Sequence, residues 1–329
     1  MKVAVTGAGG YVGRHCVLAL LAAGHEVLAL SSQPEPNPMP HAGSNTTRAQ
    51  WKTVDWADAA AVARAIDQNV DVAIHTAARV HVTGVAARDE QAFVRANVDL
   101  TRQLAQAAAE VGLRRFVLLS SVAVHGLHES DQPLRVDSAL QPRTAYAHSK
   151  LGAERALAAV CATSALQGVV LRPSVVYGAA APGNMSQLLR AVARGWPLPL
   201  AAATRNRRSL LHVEALADAC RWAACEAPVA SGTVATWLVS DVHPVSTAAM
   251  VRAYADGLGR VALPLWHLPE GLLRRGLGLL GRSAMAAQLL GSLVLDTAPI
   301  RTAGWTDRSD TLERLRALGE AYNRQRLLP

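Results

Sequence analysis

No two of the four cysteines are spaced to hold a metal or to form a redox pair. Cys16, Cys161, Cys220 and Cys225 contain no C-x-x-C, and the interval between the last two fits no standard zinc pattern. They read as buried free thiols of a reducing compartment, so a cytoplasmic setting and no metal centre are expected. A signal peptide is not expected, because the sequence reads as a structural strand from Lys2. An integral membrane segment is also not expected. The most apolar long region, 271–295, is interrupted by Arg274, Arg275 and Arg282, and the clean run after Arg282 is too short to span a bilayer. An amphipathic helix of the fold is expected there. Charge is sparse, at 18% of residues against 50% hydrophobic, which excludes wholesale disorder. Arginine far outnumbers lysine and the net charge is +8, a balance that suits an anionic partner. The basic residues are scattered apart from "RNRR" at 205–208, with no basic tail and no basic run interleaved with aromatics. Nucleic acid is therefore disfavoured against a phosphorylated small molecule.

The 329 residues suffice for one large domain or two smaller ones. The first half alternates apolar strands with helices. Strands are expected at "KVAVTG", "EVLALS", "KTVD" (52–55), "VDVAIHTAA", "RFVLLSS" and "GVVLRPS", with helices at 11–23, 57–68, 90–111 and 144–163. That order predicts an α/β fold, a Rossmann-like doubly wound parallel sheet covered on both faces. After Pro173 the pattern changes. "SVVYGAAAPGN" reads as loop and 184–194 as helix, while "SLLHV", 214–226 and "TWLVSD" read as a return to the sheet. We expect a nucleotide-binding domain at 1–172, rejoined by 208–242. A smaller substrate-binding cap is expected from 173–207 and 243–329.

"VAVTGAGGYVGRH" places Gly7, Gly10 and Gly13 between the first strand and the first helix, followed by Arg14. Such glycines permit a tight turn and aim a helix N-terminus at a pyrophosphate. Farther on, "TAYAHSKLGAE" puts Tyr146 and Lys150 four residues apart on one helix face. An ammonium beside a phenol favours the phenolate and lowers its pKa. Taken alone, Tyr-x-x-x-Lys is as easily an ordinary surface pair.

The spacing of the glycines, G-x-x-G-x-x-G, begins a resemblance to the extended short-chain dehydrogenase/reductase family of nucleotide-sugar epimerases and dehydratases. The resemblance recurs in order over nearly the whole chain. "VDWAD" at 54–58 resembles the acidic adenine contact, implying Asp55 and Trp56 beside the adenine. "HTAA" at 75–78 implies that Ala77 and Ala78 line the cofactor, and "NVDLT" at 97–101 supplies Asn97. "LLSSVAVHG" at 118–126 resembles the serine motif, and Tyr146 and Lys150 fall at the catalytic pair. "LRPSVVYG" resembles the segment beside the nicotinamide, implying Pro173, Val175 and Val176 as contacts. "RRSLLHVEALADA" resembles a basic phosphate contact, with Arg208 aligning best and Arg207 beside it. Tyr11, Val12 and Arg14 complete the expected cofactor contacts. Arg79, His125 and Asn184 are expected on the substrate side.

By this resemblance Tyr146 is the general acid/base, Lys150 stabilises the phenolate and holds the nicotinamide ribose, and Ser121 bonds the reacting oxygen. Ser121 is preferred to Ser120 because it stands three residues before Val124 of "VHG". His125 replaces a tyrosine there and is expected as a pocket wall. Asn184 suits either a ligand contact or a helix cap. Val122 and Ala123 occupy the positions of the Asp-Glu pair of sugar dehydratases and can move no proton, which disfavours a 4,6-dehydratase.

The second strand ends in Ser31 and Ser32 where a carboxylate would bond the adenosine ribose, so NAD and NADP are both open. Glu35 lies farther along, and Arg14 and Arg48 suit either a 2′-phosphate or solvent. The resemblance points to hydride transfer at C4 of a UDP-sugar. The sharpest expectation is a 4-keto reductase for surface polysaccharide, with a UDP-hexose 4-epimerase as the near alternative. A reductase of a non-nucleotide ketone and a non-catalytic dinucleotide sensor are the readings from other classes. Binding of UDP discriminates the first of these, and loss of turnover in Tyr146→Phe the second. A homodimer through the helices at 90–111 and 144–163 is implied, although burial inside one chain explains their apolar faces too.

Overall fold

The computed structural model describes residues 1–34, 49–66, 69–80, 89–260, 268–281, 283–307 and 309–327. Glu35, Arg48, His81 and His267 lie outside them.

The apolar runs form a parallel sheet. Its strands are β1 (Lys2–Thr6), β2 (Glu26–Ser31), β3 (Gln50–Thr53), β4 (Val72–His75), β5 (Arg115–Leu119), β6 (Gln167–Pro173) and β9 (Val234–Val239). Their order is β3-β2-β1-β4-β5-β6-β9. Val5 lies between Ala29 and Ile74 in register. Side chains alternate across the sheet, so its central strands are buried on both faces. Val3, Val5, Ile74 and Val117 pack against Cys16 and Leu20 of α1 (Tyr11–Ala22) and Leu216 and Cys220 of α7 (Val213–Cys225). Ala4, Ala73, Phe116 and Leu118 pack on the other face. They meet Val62 of α2 (Ala59–Ala63), Leu104 of α4 (Leu100–Glu110), and Leu157 and Val160 of α5 (Ala145–Cys161). The apolar faces of α4 and α5 are thus accounted for within one chain.

A third core joins Val192 of α6 (Asn184–Arg194), Met250 and Val251 of α8 (Thr247–Gly257), and Leu315 of α12 (Thr311–Leu327). Beside it run α9 (Glu270–Leu279) and α10 (Ser283–Leu290), while α11 (Ala298–Thr302) buries Ile300 in the first core. Among the described residues no helix is long and apolar enough to cross a membrane.

Several elements differ from expectation. The helix expected over 57–68 is the short α2, with 67–68 outside the described residues. The strand expected at 52–55 forms two residues earlier, as β3. The helix expected over 90–111 is α3 (Glu90–Phe93), a π turn at Val94–Asp99, and α4; the wider turn carries Asn97 into the interior. Val175–Tyr177, read as loop, is strand β7. "SLLHV" forms β8 (Leu210–His212), which pairs in parallel with β7 rather than rejoining the large sheet. The edge beside β6 is taken by β9.

Candidate active site

The carboxyl ends of β1, β2, β4, β5 and β6 open on a cavity of about 1780 Å³. Parallel α/β sheets bind ligands at this end, where the strand order reverses between β1 and β4. Pockets for one drug-sized ligand run to roughly 300–1,000 Å³, so a dinucleotide and a second ligand can share this one.

The glycine loop forms the floor. Gly7 has φ +71°, and a Cβ there would stand 2.6 Å from the Ala77 nitrogen. A Cβ on Gly13 would collide with the Gly7 carbonyl oxygen. These glycines let β1, α1 and the segment after β4 close together. Gly7, Gly10, Tyr11, Val12, Gly13 and Arg14 all line the cavity. Exposed loop backbone at the N-terminus of a 12-residue helix fits a pyrophosphate. Ser31, Ser32 and Trp56 line the adenosine side, and Ala77 and Ala78 the wall after β4. Ser31 is buried and its hydroxyl accepts a bond from the Gln33 N–H at 3.1 Å. Among the described residues no carboxylate stands at the end of β2, so those present fit NAD and NADP alike. Asp55 is not among the lining residues; its carboxylate accepts from the Ala57 N–H at 2.9 Å, beside Trp56, which does line the cavity.

Thr144 caps α5, accepting from the Ala147 N–H at 3.1 Å, so Tyr146 falls in the first turn and Lys150 one turn on. Ser121, Tyr146 and Lys150 all line the cavity, and the Ser121 hydroxyl is close enough to the Tyr146 phenol to act to lower its pKa. Ser120, one residue earlier, is committed to the Glu154 carboxylate. The buried Lys150 ammonium donates to the Leu119 carbonyl at 2.7 Å. Burial raises the Tyr146 pKa and the Ser121 bond only partly offsets it. That corrects the expectation of a phenol lowered by Lys150. Pro173, Val175 and Val176 follow β6 into the cavity.

Burial lowers Lys150 from 10.5 to about 8, with Glu154 opposing. In that window the unfolded chain holds a proton that the folded chain has released, so this group's contribution to stability rises with pH. We therefore expect the unfolding free energy of the wild type, minus that of Lys150→Met, to rise between pH 8 and 10.5 in urea titrations. A difference flat across that range would contradict the buried ammonium.

Four other expected residues lie elsewhere. Asn97 is buried outside the cavity wall; its amide accepts from the Arg79 N–H at 2.7 Å and donates to the Ser149 hydroxyl at 2.8 Å. His125 is no pocket wall: it is buried between the Arg172 guanidinium, at 3.2 Å, and the Ala139 carbonyl, at 3.3 Å. Arg208 is also buried away from the cavity. Its Nη1 donates to the backbone carbonyls of His128, Ala287 and Gly291 at 3.2, 3.4 and 3.1 Å. Arg207 is exposed, its N–H bonded to Ser292 at 3.0 Å, and does not line the cavity either. Asn184 does line it, but as the first residue of α6 rather than its cap, which is Gly183. Arg79 lines the cavity as expected. Sequence reasoning passed over Phe93, Arg95 and Ser174, which also line it. Only Ser174, beside Pro173 in a motif already singled out, carried a local signal.

Residues 3–235 match the NAD-dependent epimerase/dehydratase family. The chain belongs to that family. A UDP-glucose 4-epimerase of Vibrio cholerae is 33% identical over 261 residues, 78% of this chain and 77% of the relative. A dTDP-6-deoxy-L-talose 4-dehydrogenase (NAD(P)+) of Kitasatospora kifunensis is 29% identical over 66% of this chain and 65% of its own. The fold is also that of a UDP-glucose 4-epimerase with UDP-glucose from Thermotoga maritima, at TM-score 0.76 and 18% identity, with 99% of each chain covered. As a member of this family the chain is an enzyme of the NAD-dependent epimerase/dehydratase type.

Proposed function

We propose that this enzyme transfers hydride at C4 of a UDP-linked sugar, acting as an NAD(P)-dependent 4-keto reductase in the synthesis of surface polysaccharide sugars. The observation that carries the reading is the Ser121–Tyr146–Lys150 cluster on a cavity that can hold a dinucleotide and a nucleotide sugar together. The nicotinamide, which Pro173, Val175 and Val176 would contact, supplies the hydride when bound. Tyr146 gives its proton to the C4 oxygen as negative charge develops there. Burial raises the phenol's pKa, so Tyr146 holds a proton to give. Ser121 bonds the same oxygen and holds the phenol in line. Lys150, fixed on Leu119 and lining the cavity with Tyr146, would hold a cofactor ribose and offer cationic charge to the phenolate left behind.

The displacement of Arg207 and Arg208 removes one argument for a nucleotide sugar. Support now comes from the cavity's size, from Arg79, and from relatives that act on UDP- and dTDP-sugars. The similarity to the Vibrio enzyme favours a second reading, a UDP-hexose 4-epimerase. To test these, purified enzyme is mixed with NADPH or NADH and a UDP-4-keto-6-deoxysugar, and the absorbance of reduced nicotinamide is followed. Loss in proportion to substrate supports the reductase. Stoichiometric co-purified NAD(H), unchanged during turnover, sinks it in favour of the epimerase.

A further inference from the structure

Among the described residues, three buried side-chain polar atoms have no hydrogen-bond partner: Tyr11 Oη, Arg79 Nε and Ser174 Oγ. All three residues line the large cavity. Buried polar groups in folded proteins are nearly always paired, so orphans gathered on one cavity point to a ligand. Of the three, Arg79 carries charge, and leaving a charge unpaired in a partly desolvated wall is the costliest.

Arg79 is also the best fixed. Its N–H donates to Asn97 Oδ1 at 2.7 Å, and its carbonyl accepts from Asn97 Nδ2 at 3.2 Å. The same Asn97 amide donates to Ser149, whose hydroxyl reaches the Tyr146 carbonyl at 2.8 Å. The backbone of Arg79 is therefore tied to the turn that carries Tyr146. Its guanidinium lies over the Phe93 ring, 5.4 Å from the centroid. It follows β4 as Ser121 follows β5, and those strands are neighbours, with His75 opposite Leu118. The other cations on the cavity are placed differently. Lys150 is bound to Leu119, Arg14 donates to the Gly9 carbonyl at 3.0 Å within the glycine loop, and Arg95 is exposed. The carboxylate on this wall, Asp99, pairs with Arg102 at 2.8 Å.

We propose that Arg79 is the anion grip of the substrate site, taking an oxyanion of the bound substrate with a guanidinium that Phe93 and Asn97 hold ready. This rests on the reading that the cavity accepts a UDP-sugar. It assigns to Arg79 the role that Arg208 cannot play while bound to backbone carbonyls. A stacked, pre-oriented guanidinium suits carboxylate or phosphate, which it meets through two parallel bonds. The anion has two possible sources, the diphosphate or a carboxylate carried by the sugar.

Calorimetric binding of UDP, UDP-glucose, UDP-glucuronate and NADH to wild type, Arg79→Gln and Arg79→Lys tests this. The glutamine variant is expected to lose about 10- to 100-fold in affinity for the nucleotide bearing the anion, as befits a charged hydrogen bond. NADH affinity is expected to hold, and the lysine variant to recover part of the loss. A loss already present with UDP identifies the diphosphate. One confined to UDP-glucuronate, with UDP-glucose unaffected, identifies a sugar carboxylate. Unchanged affinity for all three uridine nucleotides, or a loss confined to NADH, overturns the proposal. Failure of the wild type itself to bind any uridine nucleotide overturns the function reading and this inference with it. Binding by the wild type that ignores Arg79 overturns this inference alone.

Discussion

Tyr146→Phe lowers kcat by about 10²–10⁴-fold, the usual worth of a positioned acid or base, and leaves nucleotide affinity near that of the wild type. The substitution removes one oxygen from a ring whose packing stays the same. It takes away the proton donor and the bond to Ser121, while Lys150 keeps its contact with Leu119. Stopped-flow turnover together with NADH titration separates the two effects. The companion Ser121→Ala is expected to cost less, since the phenol and its proton remain. Wild-type turnover in Tyr146→Phe would dismiss the acid/base assignment. Loss of turnover with equal loss of nucleotide binding would make the residue a binding group instead.

Glu154→Ala destabilises the protein by about 3–5 kcal/mol, the cost of leaving a buried ion without its partner. The Arg172 guanidinium of β6 meets the Glu154 carboxylate of α5 at 2.7 Å, with a second bond at 3.0 Å. The two side chains are only 6% and 8% exposed. Ser120 donates to the same carboxylate, so the truncation also strands a hydroxyl one residue from Ser121. Chemical denaturation midpoints measure the loss. The double variant Glu154→Leu/Arg172→Met is expected closer to wild type, because no unpaired charge remains. A single-variant loss below about 1 kcal/mol, the range of surface pairs, would show that water reaches the pair.

The large sheet is legible in the sequence because burial on both faces writes each central strand as a continuous apolar run, as in "VAIH" and "RFVLL". The glycine loop is legible because its glycines recur at a fixed spacing between a strand and a helix, although the atoms that leave Gly7 no room for a side chain belong to Thr76 and Ala77. What stayed hidden depends on distant partners. The β7–β8 pair joins two three-residue segments whose registry nothing local reports. Arg208 looked like a phosphate contact by position, yet its acceptors come from residues 128, 287 and 291. The shift of Tyr146 has its sign set by burial, which the Tyr-x-x-x-Lys spacing does not encode. Arg79 directly follows the marked "HTAA" and was expected on the substrate side, but its orphaned Nε and its stacking on Phe93 emerge only once β4 and α3 are brought together.

The central claim is that hydride passes between the nicotinamide and C4 of a UDP-sugar. It is tested most directly by supplying the enzyme with a UDP-4-keto-6-deoxysugar and NADPH or NADH deuterated on either face of the nicotinamide C4, then locating the label in the product by NMR. The account predicts deuterium at C4 of the sugar from one face of the nicotinamide, and none from Tyr146→Phe. A product without deuterium, or with deuterium at any other carbon, would contradict it.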